Sequence, residues 1–356
     1  MHIVVDINHP AHVHYFKNFI WEMTERGHDI LVTASEKDVS YKLLDAYKIP
    51  YIKLGNYGKT LHEKLVNIPL LDYKMYMAVK NFNPDLFLGF GSIRAAHVST
   101  ILRKPCINLD DSEPSPQEHL LYVPFSNVVI TPTSFRKNFG RKHIRYNGYI
   151  ELAYLHPNWF RPDPSVLEMM GIGKGERYTL IRFVSWGASH DIGRHGIIDK
   201  VTLVKEMEEY GPVFISSEKN LSGYLEKFRL SIQPEKLHSL LNYANLFICD
   251  GQTMTTEAAL LGVPAIRCNS FVGKDDMGNF IELERRYGLI FNYRTMDDAL
   301  VKAKELYTFN NLKKMWLKKR EILLKDKIDV TPFIIDFIEN YPQSFKDIKE
   351  NPGIYG

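Results

Sequence analysis

Asp250-Gly251-Gln252-Thr253-Met254-Thr255-Thr256-Glu257 follows the apolar run NLFIC and leads into small and apolar residues that end at Gly262-Val263-Pro264. The apolar run reads as a buried strand. Asp250-Gly251 offers a sharp exit, with a carboxylate able to cap and a residue without Cβ. Residues 253–261 read as a helix closed by Gly262 just past its end. The open amides and positive dipole end of such a helix form an anion site, with phosphate as the natural guest. The GQTMTT run adds hydroxyls and little bulk around that site. Glu257 lies one turn further on. A capping box would need a hydroxyl three residues earlier, where Met254 stands instead. Two roles stay open: a carboxylate that interacts with the helix dipole, or one that accepts hydrogen bonds from the vicinal hydroxyls of a ribose on the bound diphosphate.

Other polar sets also end apolar runs. In Asn8-His9-Pro10-Ala11-His12-Val13-His14 a strand-like run gives way to a helix. A loop-to-helix path aims positions 9, 12 and 14 in different directions, which disfavours a metal site built on convergent nitrogens. Asp110-Asp111-Ser112-Glu113 gathers carboxylates at another strand end, a pattern that equally suits turn and N-cap formation ahead of Pro114 and Pro116. RFVSWGASHDIGRHG concentrates Arg182, Ser185, Trp186, Ser189, His190, Asp191 and Arg194 around glycines. The donors among these groups could bond a pyrophosphate or sugar beside an aromatic surface. Arg182 as an ion-pair partner and Trp186 as core are the structural alternatives. Lys219 is either a mobile point charge for phosphate or a solvated side chain. No DxD-type motif stands at a strand end of the second half, and Asp275-Asp276 has no third ligand nearby. Stabilisation of a leaving diphosphate by helix dipole and basic residues therefore requires no metal, with room for a loosely bound magnesium ion.

These residues must be positioned by a framework, and short runs rich in Val, Ile, Leu and Phe alternate with longer amphipathic segments along the chain. That alternation predicts parallel sheets covered by helices. Strand-like runs lie at 2–7, 29–34, 85–90, 105–109 and 127–131, and again at 178–184, 212–216, 245–250, 263–268 and 289–293. The Pro- and Gly-rich segment 147–176 reads as the connection between two doubly wound domains. The expected division is 1–155, 156–330 and a C-terminal helix and tail at 331–356. A chain of 356 residues is long enough for two full cores. With 45 Lys and Arg against 42 Asp and Glu, the formal charge of +3 gives no general case for nucleic acid. Cys106, Cys249 and Cys268 lack the spacing of a disulfide framework or a zinc site, which fits a reducing cytoplasm. No leader or spanning segment is evident. KKMWLKKREILLKDK, residues 313–327, is strongly basic and reads as a solvated helix face or a dock for an anionic membrane surface.

A strand, Asp-Gly, a polar loop and a helix with Glu before AALLGVPAI resemble the donor-binding motif in the C-terminal domain of GT-B enzymes. Those include the nucleotide-sugar 2-epimerases and the N-acetylglucosaminyl transferase that forms lipid II. GFGSIRAAHVS, RFVSWGASHD and LHSLLNYANLFICDGQTMTTEAALLGVPAI together resemble domain-of-unknown-function family 354, assigned to the GT-B group. The resemblance covers nearly the whole chain. It implies an α/β fold of two Rossmann-like domains facing a cleft, with the C-terminal helix packing back toward the N-terminal domain. It places diphosphate on Gly251, Gln252, Thr253 and Met254, and ribose on Glu257. It adds Arg182, Ser185, Trp186, Lys219 and His238 to the nucleotide-sugar side.

By the same resemblance, His9 or His12 contacts the acceptor or serves as general base. Capping and exposure are the other reading of these histidines. Asp111 and Glu113 resemble the strand-end carboxylates that move protons in the epimerases, and His190 matches the position, though not the motif, of a functional histidine there. The implied activity is transfer from a nucleotide-diphosphate sugar, UDP-sugar favoured, to a carbohydrate or lipid-linked acceptor. An epimerase or hydrolase, or a non-catalytic nucleotide-sugar-binding protein, are the alternatives. The implied setting is cytoplasmic, including the inner face of the membrane, with no cofactor and no nucleic acid.

Overall fold

The computed structural model describes residues 1–58, 61–173, 175–186, 194–221, 223–274 and 276–351. The chain divides into two units, Met1–Tyr154 with Lys327–Gly356, and Leu155–Asp326.

In the first unit, β1 (His2–Ile7), β2 (Asp29–Ser35), β3 (Ile52–Gly55), β4 (Leu86–Phe90), β5 (Cys106–Leu109), β6 (Val128–Pro132) and β7 (His143–Tyr146) form one sheet in the order β3-β2-β1-β4-β5-β6-β7. Every pairing is parallel. The central strands β4, β5 and β6 are buried along their whole length, which is why each appears in sequence as an unbroken apolar run. The edge strands β3 and β7 escape the sequence pattern. An edge needs fewer apolar residues, and Ile52, Lys53 and Arg145 are exposed. The helix Pro10–Glu25 buries Val13, Phe16, Phe19, Ile20 and Met23, a spacing that keeps one face on the core. The C-terminal helix Val330–Glu339 packs on this helix. Ala153 O accepts from both Asn18 Nδ2 and Thr331 Oγ1, each at 2.7 Å, so the end of the chain is tied into the first unit.

The second unit orders β8 (Thr179–Phe183), β9 (Val213–Ser217), β10 (Leu246–Cys249), β11 (Ala265–Cys268) and β12 (Ile290–Tyr293) as β12-β11-β10-β8-β9, again all parallel. In each sheet the strand order reverses beside the first strand, between β1 and β4 and between β8 and β10. Ligands of open α/β sheets bind outside the carboxyl ends of the strands at such reversals.

Three cations of the basic run in helix Leu312–Asp326 are engaged within the chain, while Lys314, Lys318 and Lys325 are exposed. Lys313 donates to Asn242 O, Lys319 to Gly288 O at 2.6 Å, and Arg320 to Leu260 O at 2.5 Å. The Asn242 and Leu260 carbonyls lie at the ends of helices Leu237–Tyr243 and Thr253–Leu260, where cations offset the negative dipole end, and Gly288 O lies three residues past helix Gly278–Arg285. Gly262 closes helix Thr253–Leu260 in a left-handed conformation (φ 69°), and a Cβ there would crowd Leu317 and Arg320. No helix among the described residues is long and apolar enough to cross a membrane.

At the reversal in the first sheet, Asp6 near the end of β1 is fully buried. It accepts from Thr33 Oγ1 (2.6 Å), Ser92 Oγ (2.5 Å), Asn8 Nδ2 (2.9 Å) and Arg94 Nε (2.9 Å). Arg94, equally buried, also donates to Ser35 Oγ at 2.8 Å. Removing one member of such a pair strands the other charge without water. Asp6→Ala is therefore expected to cost about 3–5 kcal/mol of stability in urea unfolding. A loss below about 1 kcal/mol would contradict this assignment.

Candidate functional site

In the second unit, β10 ends at Cys249 and the helix Thr253–Leu260 begins after a turn through Gly251. Gly251 is buried, and a Cβ there would run into Val184 Cγ1 at 2.7 Å, so the turn's close approach to the β8 exit requires glycine. The carboxylate of Asp250 does not cap this helix, contrary to the expectation from sequence. It turns across the sheet to accept from Val184 N at 2.8 Å and Trp186 Nε1 at 3.2 Å, because β10 pairs with β8 and brings the two strand exits together. Burial pushes the Asp250 carboxyl up from its ordinary value.

The N-cap residue, Gln252, makes no side-chain hydrogen bond to the helix. The amides of Thr253 and Met254 therefore have no partner among the described residues. Gln252, Thr253 and Met254 are half-buried, while the helix from Thr255 onward is buried. The exposed turn is the turn with open amides. Thr256 Oγ1 is buried behind it without a hydrogen-bond partner.

Glu257 is 3% exposed, His238 is 5% exposed, and Glu257 Oε1 meets His238 Nε2 at 2.9 Å. His238 comes from helix Leu237–Tyr243, its ring edge-on to Phe160. His238 holds one oxygen of the Glu257 carboxylate. The pair therefore fixes the orientation of Glu257 one turn behind the open amides. Glu257 is thus buried and paired to a histidine rather than an exposed acid at the helix start.

The remaining second-unit candidates divide. Arg182 donates to Ser216 Oγ (2.6 Å) and Glu218 Oε1 (2.9 Å), and the Ser185 amide donates to Glu218 Oε2 (2.9 Å). Arg182 is thus engaged as an ion-pair partner of β9 and its exit. Trp186, half-buried with φ 51°, stacks on Phe271 at 5.9 Å, so it is not core. Lys219 is exposed. His190 lies outside the described residues.

In the first unit, His9 caps helix Pro10–Glu25, accepting from Ala11 N at 3.2 Å. His12 Nδ1 receives the Asn8 amide at 3.4 Å, and the ring packs on Phe90 and Tyr15. Burial, His9 and Arg94 hold His12 well below the ordinary imidazole value. A neutral ring that accepts at Nδ1 carries its proton on Nε2.

The acidic strand end after β5 separates into unequal members. Asp110 is buried and accepts from Tyr122 Oη (2.5 Å), His119 Nε2 (2.9 Å) and the Ser112 amide (2.8 Å). Glu113 is buried against Arg136, accepting from its amide at 3.0 Å and its Nε at 3.3 Å. Asp111 lies between them with a long contact from Ser112 Oγ at 3.3 Å. Burial and the neighbouring Asp110 push its carboxyl up from 3.8 to about 7. Of the two acids singled out in the sequence, Asp111 has the protonation behaviour of an acid–base group and Glu113 has the surroundings of an anchor.

Sequence reasoning passed over Asp6 and Arg94, whose pairing spans 88 residues, and saw Asp110 as one of the strand-end acids without its partners 9 and 12 residues on. Among the described residues, no group of three His, Cys, Asp or Glu side chains is placed to hold a metal. Asp276 pairs with buried Arg267, whereas Asp275 lies outside the described residues.

A family model described as a protein of unknown function, DUF354, matches residues 1–336. An uncharacterized protein of Methanocaldococcus jannaschii is 25% identical over 276 residues, covering 74% of this chain and 80% of the relative. Among solved structures, a putative UDP-N-acetylglucosamine 2-epimerase from Listeria monocytogenes superposes with a TM-score of 0.66 at 12% identity, covering 96% of both chains. The UDP-GlcNAc 2-epimerase from Neisseria meningitidis, bound to UDP-GlcNAc, gives 0.64 at 14% identity over 95% of this chain and 100% of its own. The Streptomyces sp. SF2575 glycosyltransferase SsfS6 gives 0.60 at 13% identity over 96% of this chain and 100% of its own. At these identities the structures establish the GT-B-like fold.

The raised Asp111 carboxyl has a thermodynamic consequence. The folded state binds this proton more tightly than the unfolded state, so its contribution to stability is greatest at low pH and falls as pH rises from about 4 through about 7. Asp111→Asn is expected to be more stable than wild type by about 1–2 kcal/mol near pH ~8, with the gain shrinking toward pH ~5. Urea unfolding at the two pH values measures this difference, and a gain independent of pH would contradict the placement.

Proposed function

We propose that this chain, which belongs to the DUF354 family, is a GT-B-type enzyme that binds a nucleoside-diphosphate sugar and transfers the sugar to a carbohydrate or lipid-linked acceptor. One observation carries the donor assignment: the uncapped helix start at Gln252, Thr253 and Met254, followed one turn later by a carboxylate fixed by histidine. The open amides and dipole end neutralise the diphosphate. Glu257, oriented by His238, accepts from the ribose hydroxyls. A UDP-sugar is favoured because two of the similar structures are UDP-N-acetylglucosamine 2-epimerases by name and one of them is bound to UDP-GlcNAc.

Acid–base chemistry falls to Asp111 in the first unit. With its carboxyl near 7, it is suited to take the proton of an acceptor hydroxyl. His12 donates a hydrogen bond from Nε2. Arg182 and Trp186 shape the β8 exit, Ser185 ties it to Glu218, and Lys219 supplies a solvated positive charge. The helix end provides the stabilisation that a metal would otherwise bring. The three buried free thiols suit the reducing cytoplasm.

The adjacency of Asp110 and Asp111 favours a second reading, a 2-epimerase, in which strand-end carboxylates move protons during elimination and re-addition of the nucleotide. The two differ in outcome. Transfer requires an acceptor, whereas epimerisation proceeds without one and places solvent deuterium at the sugar C2.

Calorimetry with UDP-, GDP- and CMP-sugars is expected to show binding of at least one of them, weakened about 100-fold by Glu257→Ala through the loss of two charge-assisted hydrogen bonds. Asp111→Asn should retain binding and lose turnover, and the wild-type rate should rise with pH through about 7 as the base ionises. A chelator should leave turnover unchanged. Absence of binding to every nucleotide sugar would remove the donor assignment, and full activity of Asp111→Asn would remove the base.

A further inference from the structure

Helix Pro116–Tyr122 is seven residues long, with Pro114 before it and Pro124 after it. So short a helix holds itself together weakly, and the carbonyls of its last turn need donors from outside. Two basic side chains supply them. Lys142 Nζ donates to Val123 O at 2.9 Å, Pro124 O at 3.1 Å and Ser126 O at 2.7 Å, just past the helix. His97, from helix Ile93–Leu102, donates from Nε2 to Leu121 O at 3.0 Å.

The other nitrogen of that ring, Nδ1, meets Asp72 Oδ2 of helix Leu61–Val79 at 2.8 Å. A carbonyl oxygen and a carboxylate both accept, so both ring nitrogens carry protons and His97 is an imidazolium. Its charge lies at the carboxyl end of helix Pro116–Tyr122, where the helix dipole favours a cation. The ring is 18% exposed and meets the edge-on ring of Phe125 at 4.7 Å. The hydrogen bond to Asp72 raises the proton affinity of His97 above the ordinary imidazole value, against the burial that lowers it, and Leu121 O adds to the rise. Asp72 Oδ1 is buried without a partner among the described residues, so His97 provides the hydrogen bond that ties this carboxylate to the next helix.

The braced helix carries two of the groups that hold the acidic strand end. His119 Nε2 and Tyr122 Oη both donate to Asp110 Oδ2, and Leu121 lies between them in sequence. Contacts thus run from Asp72 through His97 to the end of the helix, and from that helix to the neighbour of Asp111. Among the charged groups on the packed elements, Asp72 acts on the ring, Glu118 acts on Tyr57 and Tyr122, and Lys142 is engaged by its three carbonyls.

We infer that His97, doubly protonated between Asp72 and Leu121 O, is a positioning residue that locks helix Pro116–Tyr122 against the acidic strand end, and that loss of its proton releases this helix. A neutral ring has one N–H for two acceptors. The charged carboxylate is the stronger acceptor and keeps it, so Leu121 O is the group set free. In catalysis the inference rests on the proposed role of Asp111, whereas the state of the brace can be read without turnover.

The folded protein binds this proton more tightly than the unfolded chain, so the brace is fully present below about 6.5 and is lost as pH rises through the higher folded value. Nitrogen-15 NMR of the histidine rings in the full chain should find both His97 nitrogens protonated at pH ~6. Amide-exchange protection factors for residues 119–126 should fall at least about tenfold as His97 loses its proton, while those of helix Pro10–Glu25 hold. Asp72→Asn should weaken proton binding by His97 about tenfold and move both changes about one pH unit lower. Where turnover is measured, kcat should fall again above the His97 transition, and Asp72→Asn should shift that falling limb while leaving the rising limb near 7 in place. A ring with one protonated nitrogen at pH ~6 overturns the inference, as does protection at 119–126 that ignores the His97 transition or does not move with it in Asp72→Asn. Absence of turnover, with the NMR and exchange results as expected, would remove the proposed reaction and leave the brace standing.

Discussion

Backbone amides at the start of a helix must find hydrogen bonds; here Gln252 O takes those of Thr255 and Thr256, and neither the Gln252 nor the Asp250 side chain caps Thr253 or Met254. Asp250 is drawn across the sheet to the β8 exit by the parallel pairing of β10 with β8, so the first turn of helix Thr253–Leu260 stays open. Gly251 allows the turn its close approach, and the buried Glu257 with His238 is set one turn behind. The proposed chemistry of the second unit depends on those unsatisfied amides. An acidic side chain over them would repel the charge that they are placed to receive.

The first unit treats its strand ends differently. Asp6 and Arg94 satisfy each other at the sheet reversal, with Ser, Thr and Asn groups completing the set. That network fixes the exits of β1 and β4 without leaving an open binding group. The free capacity lies one strand over, where Asp110 and Glu113 are occupied by His119, Tyr122 and Arg136 and Asp111 keeps a carboxyl poised near neutrality. Rigid neighbours around one titratable member are the usual arrangement for a group whose proton must come and go.

Strands buried on both faces were plain in the sequence because each must be apolar at every position, as Leu86–Phe90 and Leu246–Cys249 are. Ile52–Gly55 and His143–Tyr146 were not, since edge strands pattern weakly. The Gly251 turn and Glu257 could be singled out because glycine, polar loop and lone carboxylate fall within one local unit. Their partner His238 lies 19 residues back on another helix, and no local rule links the two. Asp250 looked like a cap because capping is decided within four residues, whereas its true partners come from strand pairing 64 and 66 residues away. The two carboxylates Asp111 and Glu113 were indistinguishable as letters, and only the position of Arg136 separates their roles.

The most direct measurement is an amide NMR titration of the full chain with UDP. The account predicts that the signals of Gln252, Thr253 and Met254 shift downfield together as their N–H groups engage the diphosphate, with Glu257 and His238 following when the ribose is present. Saturable binding that leaves those three amides unmoved while perturbing another region would contradict it.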